Sequence, residues 1–249
     1  MAIDTEKNSY TVIFAALMVV VVGSILAFLA SSLNDRIREN ERFEKQQNIL
    51  YAMGVNENVD EGSVNKVPAA LVEQEFSKYI TEQLVIEGDK ITQDDEAYLI
   101  DMKKQLALMK NGETPKLPVL IGEKDGQKYH ILPMYGKGLW DAIWGFIALD
   151  DQMVVQGVFF DHKGETPGLG ANINQRYFMD DFTGETILKG TKYAGITVAK
   201  GNNDPVNQIK DDNEVDALAG ATITGNGISA MISKSLGLYK DYLENIRTQ

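Results

Sequence analysis

Hydrophobic and polar positions divide this chain unevenly. No charge falls between Lys7 and Asp35, and the stretch from Thr11 to Leu33 is almost continuously apolar. A helix over Val12–Leu33 would be about 33 Å long at ~1.5 Å per residue, enough to cross a ~30 Å hydrocarbon core. Gly23, Ser24, Ala27 and Ser31 form a small-residue stripe that lets another helix approach. A cleaved signal peptide is the competing reading, with Ala30 and Ser32 at the −3 and −1 positions of a cleavage site. Asp4 and Glu6 in its leading segment and the length of the apolar run favour a retained anchor. The predicted organisation is a short tail at 1–10, a single transmembrane helix at 11–33, a juxtamembrane helical region at 34–119 and a folded domain at 120–249.

Beyond the anchor the pattern becomes mixed. Asp35 to about Met53 is charged and reads as a helical stalk with scattered apolar contacts at Ile37, Phe43, Ile49 and Leu50. Gly54–Lys66 reads as a loop. Helical periodicity follows over Pro68–Leu84 and Asp94–Met109, and Asn111-Gly112, Pro115 and Pro118 then break it. Short β-type runs come next: Tyr129–Met134, Trp144–Leu149, Val154–Phe160 and Tyr193–Val198. A last helix is predicted over Gly227–Ile246. The segregation of helices and strands gives an α+β fold class, one transmembrane helix followed by a soluble mixed domain.

Composition removes several chemistries. The 249 residues include no Cys and two His, His130 and His162. Thiol nucleophiles, disulfides and Cys-held clusters are therefore excluded, and no metal site is expected. With 24 Lys+Arg against 36 Asp+Glu, a net charge of −12 argues against nucleic acid as a partner. Arg36, Arg38, Arg42 and Lys45 follow the apolar run, a bias toward a cytoplasmic C-terminal flank. Large domains cross largely regardless of such charge.

Three glycine-containing segments are the candidate chemistry. Tyr135–Asp150 contains Gly136, Gly138 and the two Trp, Trp140 and Trp144; they serve as core or as an aromatic wall for a planar ligand. His162–Ile173 carries Glu165 and Thr166 in a loop made tight by Gly164, Pro167, Gly168 and Gly170. Asp216–Ser229 leads into the last helix, where free N–H groups and the helix dipole favour a phosphate beside Thr222. The plainer reading makes Thr222 or Thr224 a turn residue and helix N-cap. Gly225-x-Gly227-x-x-Ala230 is only a loose dinucleotide fingerprint, with no βαβ unit around it.

Asp216–Thr222 reads DALAGAT and resembles the flavinylation motif D-x-x-(S/T)-G-A-T, with Ala219 where that motif prefers a hydroxyl. Together with GLWDAIWGFIALD, GETPGLGA, KQQNIL and the single anchor, the whole chain resembles the C subunits of the sodium-translocating NADH:quinone oxidoreductase. That resemblance implies FMN bound covalently through a phosphoester on Thr222 by a flavin transferase, with Asp216, Gly220 and Ala221 completing the motif. It implies flavin-pocket roles for Trp140, Glu165, Thr166 and Leu169, and a polar contact from Lys200. It further implies electron relay from NADH toward ubiquinone or menaquinone beside subunits A, B, D, E and F, with B, D and E foremost. Sodium export by the whole complex, and a single-pass inner-membrane protein with a periplasmic domain, complete the expectation. Two alternatives stand beside it: the flavinylated subunit of the ferredoxin:NAD oxidoreductase complex, and a membrane-anchored scaffold without a redox centre.

Overall fold

A computed structural model describes residues 8–59, 62–205 and 207–247. The chain divides into two compact units, Met1–Arg42 and Phe43–Gln249. Residues 1–7 of the expected N-terminal tail lie outside the described residues.

The uncharged N-terminal run forms a helix, as its length and composition require. Helix α1, Asn8–Ala52, has 45 residues, near 68 Å at ~1.5 Å per residue. Its apolar part is long enough to cross a membrane, and Val12, Ile13, Phe14, Leu17, Val19 and Leu26 are all exposed. Its last residues are different. Gln46 and Asn48–Ala52 are buried within the second unit. The Asn48 amide oxygen accepts from Lys66 Nζ at 2.7 Å, and Gln47 Nε2 donates to the Val67 carbonyl at 2.6 Å. The stalk reading therefore ends near Lys45, and Ile49 and Leu50 are core residues.

The second unit is built on a six-stranded antiparallel sheet in the order β2-β1-β3-β4-β5-β6. Its strands are β1 (Ile80–Glu87), β2 (Lys90–Gln93), β3 (Lys116–Lys124), β4 (Gln127–Lys137), β5 (Ala142–Leu149) and β6 (Val155–His162). The first two lie where the sequence pattern predicts a helical region. Only α2 (Val72–Tyr79) and α3 (Met102–Lys110) are helical in the two stretches with helical periodicity, and a 3₁₀ turn occupies Ala97–Leu99. Ile80, Thr81, Val85 and Ile86 explain the difference. β-branched side chains favour a pleated surface, and β3 offers the partner edge. The boundary expected at 119/120 falls inside β3, between Val119 and Leu120.

Short elements complete the unit: α4 (Arg176–Asp180), β7 (Leu188–Lys189), β8 (Lys192–Tyr193), β9 (Thr197–Val198) and β10 (Glu214–Val215). The C-terminal helix is two helices, α5 (Thr222–Leu238) and α6 (Lys240–Arg247). Their junction is Tyr239, which is 1% exposed and donates its hydroxyl to the Pro118 carbonyl at 3.0 Å. Helix α5 lies directly on the sheet because glycine removes the side chains between them. A Cβ on Gly136 would sit 2.8 Å from Met231 Cβ, and one on Gly227 2.5 Å from the Lys137 carbonyl oxygen. Ile228, Met231, Ile232 and Leu236 then bury against the sheet, each worth about 1.5–3 kcal/mol in apolar transfer.

Candidate functional site

The three glycine-containing segments meet at the N-terminus of α5. Thr222 is the first helical residue and is exposed. The cap position is Ala221, and no side chain among the described residues caps this end. Neither Thr222 nor Thr224 is the N-cap, contrary to the plainer sequence reading. Gly220 adopts φ +67°, a left-handed conformation that glycine takes without strain. Its backbone passes so close to Leu169 that a Cβ would lie 2.8 Å from Leu169 Cδ2.

Thr224 is not marked as a pocket residue by the sequence, yet it organises the site from the other side of the helix. Two residues along an α-helix turn the side chain by about 200°. Thr222 therefore faces out while Thr224 is 1% exposed. Thr224 Oγ1 donates to Glu165 Oε2 at 2.6 Å. Glu165 Oε1 accepts from the Trp140 backbone N–H at 2.9 Å and more weakly from that of Asp141 at 3.5 Å. The Glu165 N–H in turn reaches His162 Nδ1 at 3.2 Å. Burial pushes the Glu165 carboxyl up, but Thr224 and the backbone N–H groups outweigh it and hold the group below its ordinary value. Charge-assisted bonds of this kind are roughly twice as strong as neutral ones.

Gly138 and Gly170 wall this carboxylate. A Cβ on Gly138 would lie 2.6 Å from Glu165 Oε1, and one on Gly170 2.6 Å from Oε2 and 2.5 Å from Thr224 Oγ1. No other residue fits either position without displacing the hydrogen bonds. On the outer side, Trp140 is 66% exposed and its indole N–H donates to Thr166 Oγ1 at 3.2 Å. Leu169 is 42% exposed beside Gly220. Trp144 stays in β5, opposite Tyr135 and Asp161.

Asp216 orders the approach to this helix. Its Oδ1 accepts from the backbone N–H groups of Asn203 and Asp204 at 3.1 and 3.4 Å. Lys200 is exposed on the neighbouring segment. That segment runs beside the motif through Ala199 N–H to the Val215 carbonyl at 2.8 Å and Ala217 N–H to the Gly201 carbonyl at 3.1 Å. The structure thus brings Trp140, Glu165, Thr166, Leu169, Gly220, Ala221 and Thr222 together, and sets Lys200 on the segment next to Asp216. Thr224 and the two walling glycines are the site residues that sequence reasoning misses; a T-x-T pair at a helix start is the signal that marks one inward and one outward hydroxyl. Among the described residues no cluster of three His, Asp or Glu side chains is arranged to hold a metal ion.

An exposed aromatic ring beside a helix N-terminus suits a flat, phosphate-bearing ligand, and a family model described as FMN-binding domain matches residues 138–237. The class is therefore a mixed α+β protein with an FMN-binding domain behind one long apolar helix. Its relatives narrow this. The chain is 28% identical to the C subunit of the Na(+)-translocating NADH-quinone reductase of Vibrio alginolyticus, covering 94% of this chain and 91% of that protein. It is also 28% identical to that of Pseudomonas aeruginosa, with 98% of each covered. The crystal structure of the same subunit from Parabacteroides distasonis superposes with a TM-score of 0.70 at 30% identity, covering 85% of this chain and 96% of that one. NqrC of Shewanella oneidensis shares the fold, with a TM-score of 0.64 at 24% identity, covering 84% of this chain and 99% of that one. The chain belongs to the NqrC family, the C subunits of the Na(+)-translocating NADH-quinone reductase.

Proposed function

We propose that this chain is the membrane-anchored flavoprotein subunit of a sodium-translocating NADH:quinone reductase, with FMN esterified through its phosphate to Thr222. The observation that carries the reading is the exposed Thr222 hydroxyl at the uncapped start of α5. Free N–H groups and the positive dipole end there suit the negative charge of a phosphodiester. Gly220 keeps the approach free of a side chain, and Trp140 and Leu169 supply exposed apolar surface for a planar ring. Thr166 and Lys200 supply polar groups at its edge. These residues fit the cofactor by size, polarity and charge.

When bound, FMN supplies a ring that takes up and releases electrons one or two at a time. The protein's part is to retain and orient it. An ester on Thr222 prevents loss of the cofactor without changing the ring. Ester formation needs an activated flavin phosphate of the pyrophosphate class, presented by a flavin transferase. The Thr222 Oγ–P bond forms, the anhydride P–O bond breaks, a nucleoside monophosphate leaves, and the hydroxyl proton passes to solvent or to the transferase. Ala219 replaces a hydroxyl in the motif but contributes nothing to this bond change.

The apolar part of α1 is the single-pass anchor in this reading, with the sheet domain on the periplasmic side of the inner membrane. The partners are the other subunits of the complex, B, D and E foremost. The family name shared by the relatives supports electron relay from NADH toward quinone, with sodium export a property of the assembly. The test is the intact mass of the chain purified from its native host, together with the mass of the peptide spanning Gly220–Thr224. An FMN-phosphate adduct on Thr222 is expected. Thr222→Ala should lose it completely while the protein stays folded. An unmodified wild-type chain made beside its flavin transferase overturns the assignment.

A further inference from the structure

We infer that the buried hydrogen bond between Glu165 and Thr224 is a strut that presents Thr222 for flavin attachment, making both its members positioning residues. The inference rests on Thr222 being the residue modified. Its basis is the way one carboxylate joins three separate segments. Glu165 Oε2 holds the first turn of α5 through Thr224, at 2.6 Å. Oε1 holds the turn that carries Trp140, at 2.9 Å. The backbone of Glu165 continues directly into Thr166 and Leu169. The Thr166 hydroxyl and the exposed side chains of Trp140 and Leu169 thus all lie on segments tied to one carboxylate, whose residue is 4% exposed.

The helix geometry gives the strut its effect. Thr222 and Thr224 are on opposite sides of the first helical turn, so fixing one inward fixes the other outward. A helix end without a side-chain cap frays readily, because its first N–H groups have no partner within the helix. Here Ala221 offers no capping side chain, and Thr224 ties the first turn to Glu165. The glycine walls support this assignment. Gly138 and Gly170 admit the backbone against Glu165 at distances no Cβ allows, so the slot is shaped around this one carboxylate. The strut also separates two chemically identical hydroxyls. Thr224 Oγ1 is occupied as a donor and buried, which leaves Thr222 as the accessible nucleophile. Residues held by their own supporting hydrogen bonds keep a reactive geometry far better than residues on a free loop end.

The experiment uses the full-length chain, co-produced with the flavin transferase of its host. Flavin incorporation is followed over time by intact mass and in-gel fluorescence, and folding by circular dichroism. Thr224→Val removes the donor at constant shape and should slow incorporation at least tenfold, with any adduct still on Thr222. Thr224→Ser restores the donor and should stay within threefold of wild type. Thr224→Val modified at the wild-type rate overturns the strut. So does a tenfold loss in folded Thr224→Ser, which decides the matter even if Thr224→Val fails to fold. A wild-type chain that takes up no flavin instead overturns the assignment of Thr222, so the two failures are told apart.

Discussion

Two glutamates are sealed inside the same domain and meet opposite fates. Glu165 is 4% exposed and Glu185 is fully buried. Burial acts on both in the same direction, penalising the charged form. At Glu165 the Thr224 hydroxyl and the backbone N–H groups of Trp140 and Asp141 overcome it, and the carboxylate stays ionised. At Glu185 burial pushes the carboxyl up to about 7, against one hydrogen bond from Asn207 Nδ2 at 3.0 Å and the more distant Lys210 charge. Asp212 and Asp204 push it further in the same direction. Its Oε2 has no hydrogen-bond partner among the described residues. Depth does not set the charge of a buried carboxylate; the donors that the backbone can bring to it do. Glycine at 138 and 170 is what lets backbone and hydroxyl donors close on Glu165.

The largest test of this contrast is truncation. Glu165→Ala strands the Thr224 hydroxyl and the Trp140 N–H together, and the loss should be about 4 kcal/mol, since each buried donor left unsatisfied costs about 1–3 kcal/mol. Thermal melts of the full-length chain in detergent would measure it. A loss below about 1 kcal/mol would mean that the bonds to Glu165 contribute little net stability. The same carboxylate gives a pH signature. Its folded-state pKa lies below the ordinary value, so its contribution is present above the usual carboxylate range and fades as pH falls through the lowered value.

Glu185 carries the opposite sign. Its folded-state pKa is raised from 4.5 to about 7, so the folded state binds the proton more tightly. The stability it confers is complete below about pH 4.5 and is lost as pH rises through 7, by roughly 3 kcal/mol in total. Asp181, pushed up to about 6 by burial, adds to the same slope. Glu185→Gln keeps an acceptor for Asn207 without the ionisation. It should melt at least as high as wild type at pH 8 and lose most of the difference between pH 5 and pH 8. A variant with the wild-type slope would assign that slope to other groups.

What the sequence discloses of this arrangement follows from where the information lies. The apolar run of α1 and strands β4, β5 and β6 are local patterns, and they are found where the pattern places them, with ends shifted by a few residues. β1 is less legible, because Ile80–Leu84 also satisfies helical spacing and only the β3 edge decides between them. The sequence puts the start of α5 at Gly227, five residues late, because Gly225 and Gly227 weaken a helix. Their reason is tertiary: a Cβ on Gly225 would stand 3.0 Å from Val198 Cγ1, and one on Gly227 2.5 Å from the Lys137 carbonyl oxygen. The site shows the same division. DALAGAT and the Gly-rich loop are contiguous and visible, whereas the Glu165–Thr224 bond joins residues 59 apart in the chain. A residue's type can suggest a role, but which of two threonines turns inward depends on a partner that only the fold supplies.

The smallest predicted effect separates steric support from backbone strain. Gly170 and Gly184 each lie near one of the two glutamates, and both would be replaced by Ala. Gly170 has no positive φ, so its replacement strains nothing in the backbone itself. The new methyl instead meets Thr224 Oγ1 at 2.5 Å and Glu165 Oε2 at 2.6 Å, and the hydrogen bond between them must open. Overpacking of this kind costs about 2 kcal/mol. Gly184 has φ +88°, and its methyl would come no nearer than 3.6 Å to the flexible Lys210 side chain. Only the left-handed backbone is penalised there, by about 1 kcal/mol. Gly170→Ala should therefore lower the melting temperature more than Gly184→Ala does. It should also slow flavin incorporation, which Gly184→Ala leaves unchanged. Equal melting losses with unchanged incorporation in both variants would show that the carboxylate's glycine walls are ordinary packing rather than part of the support for Thr222.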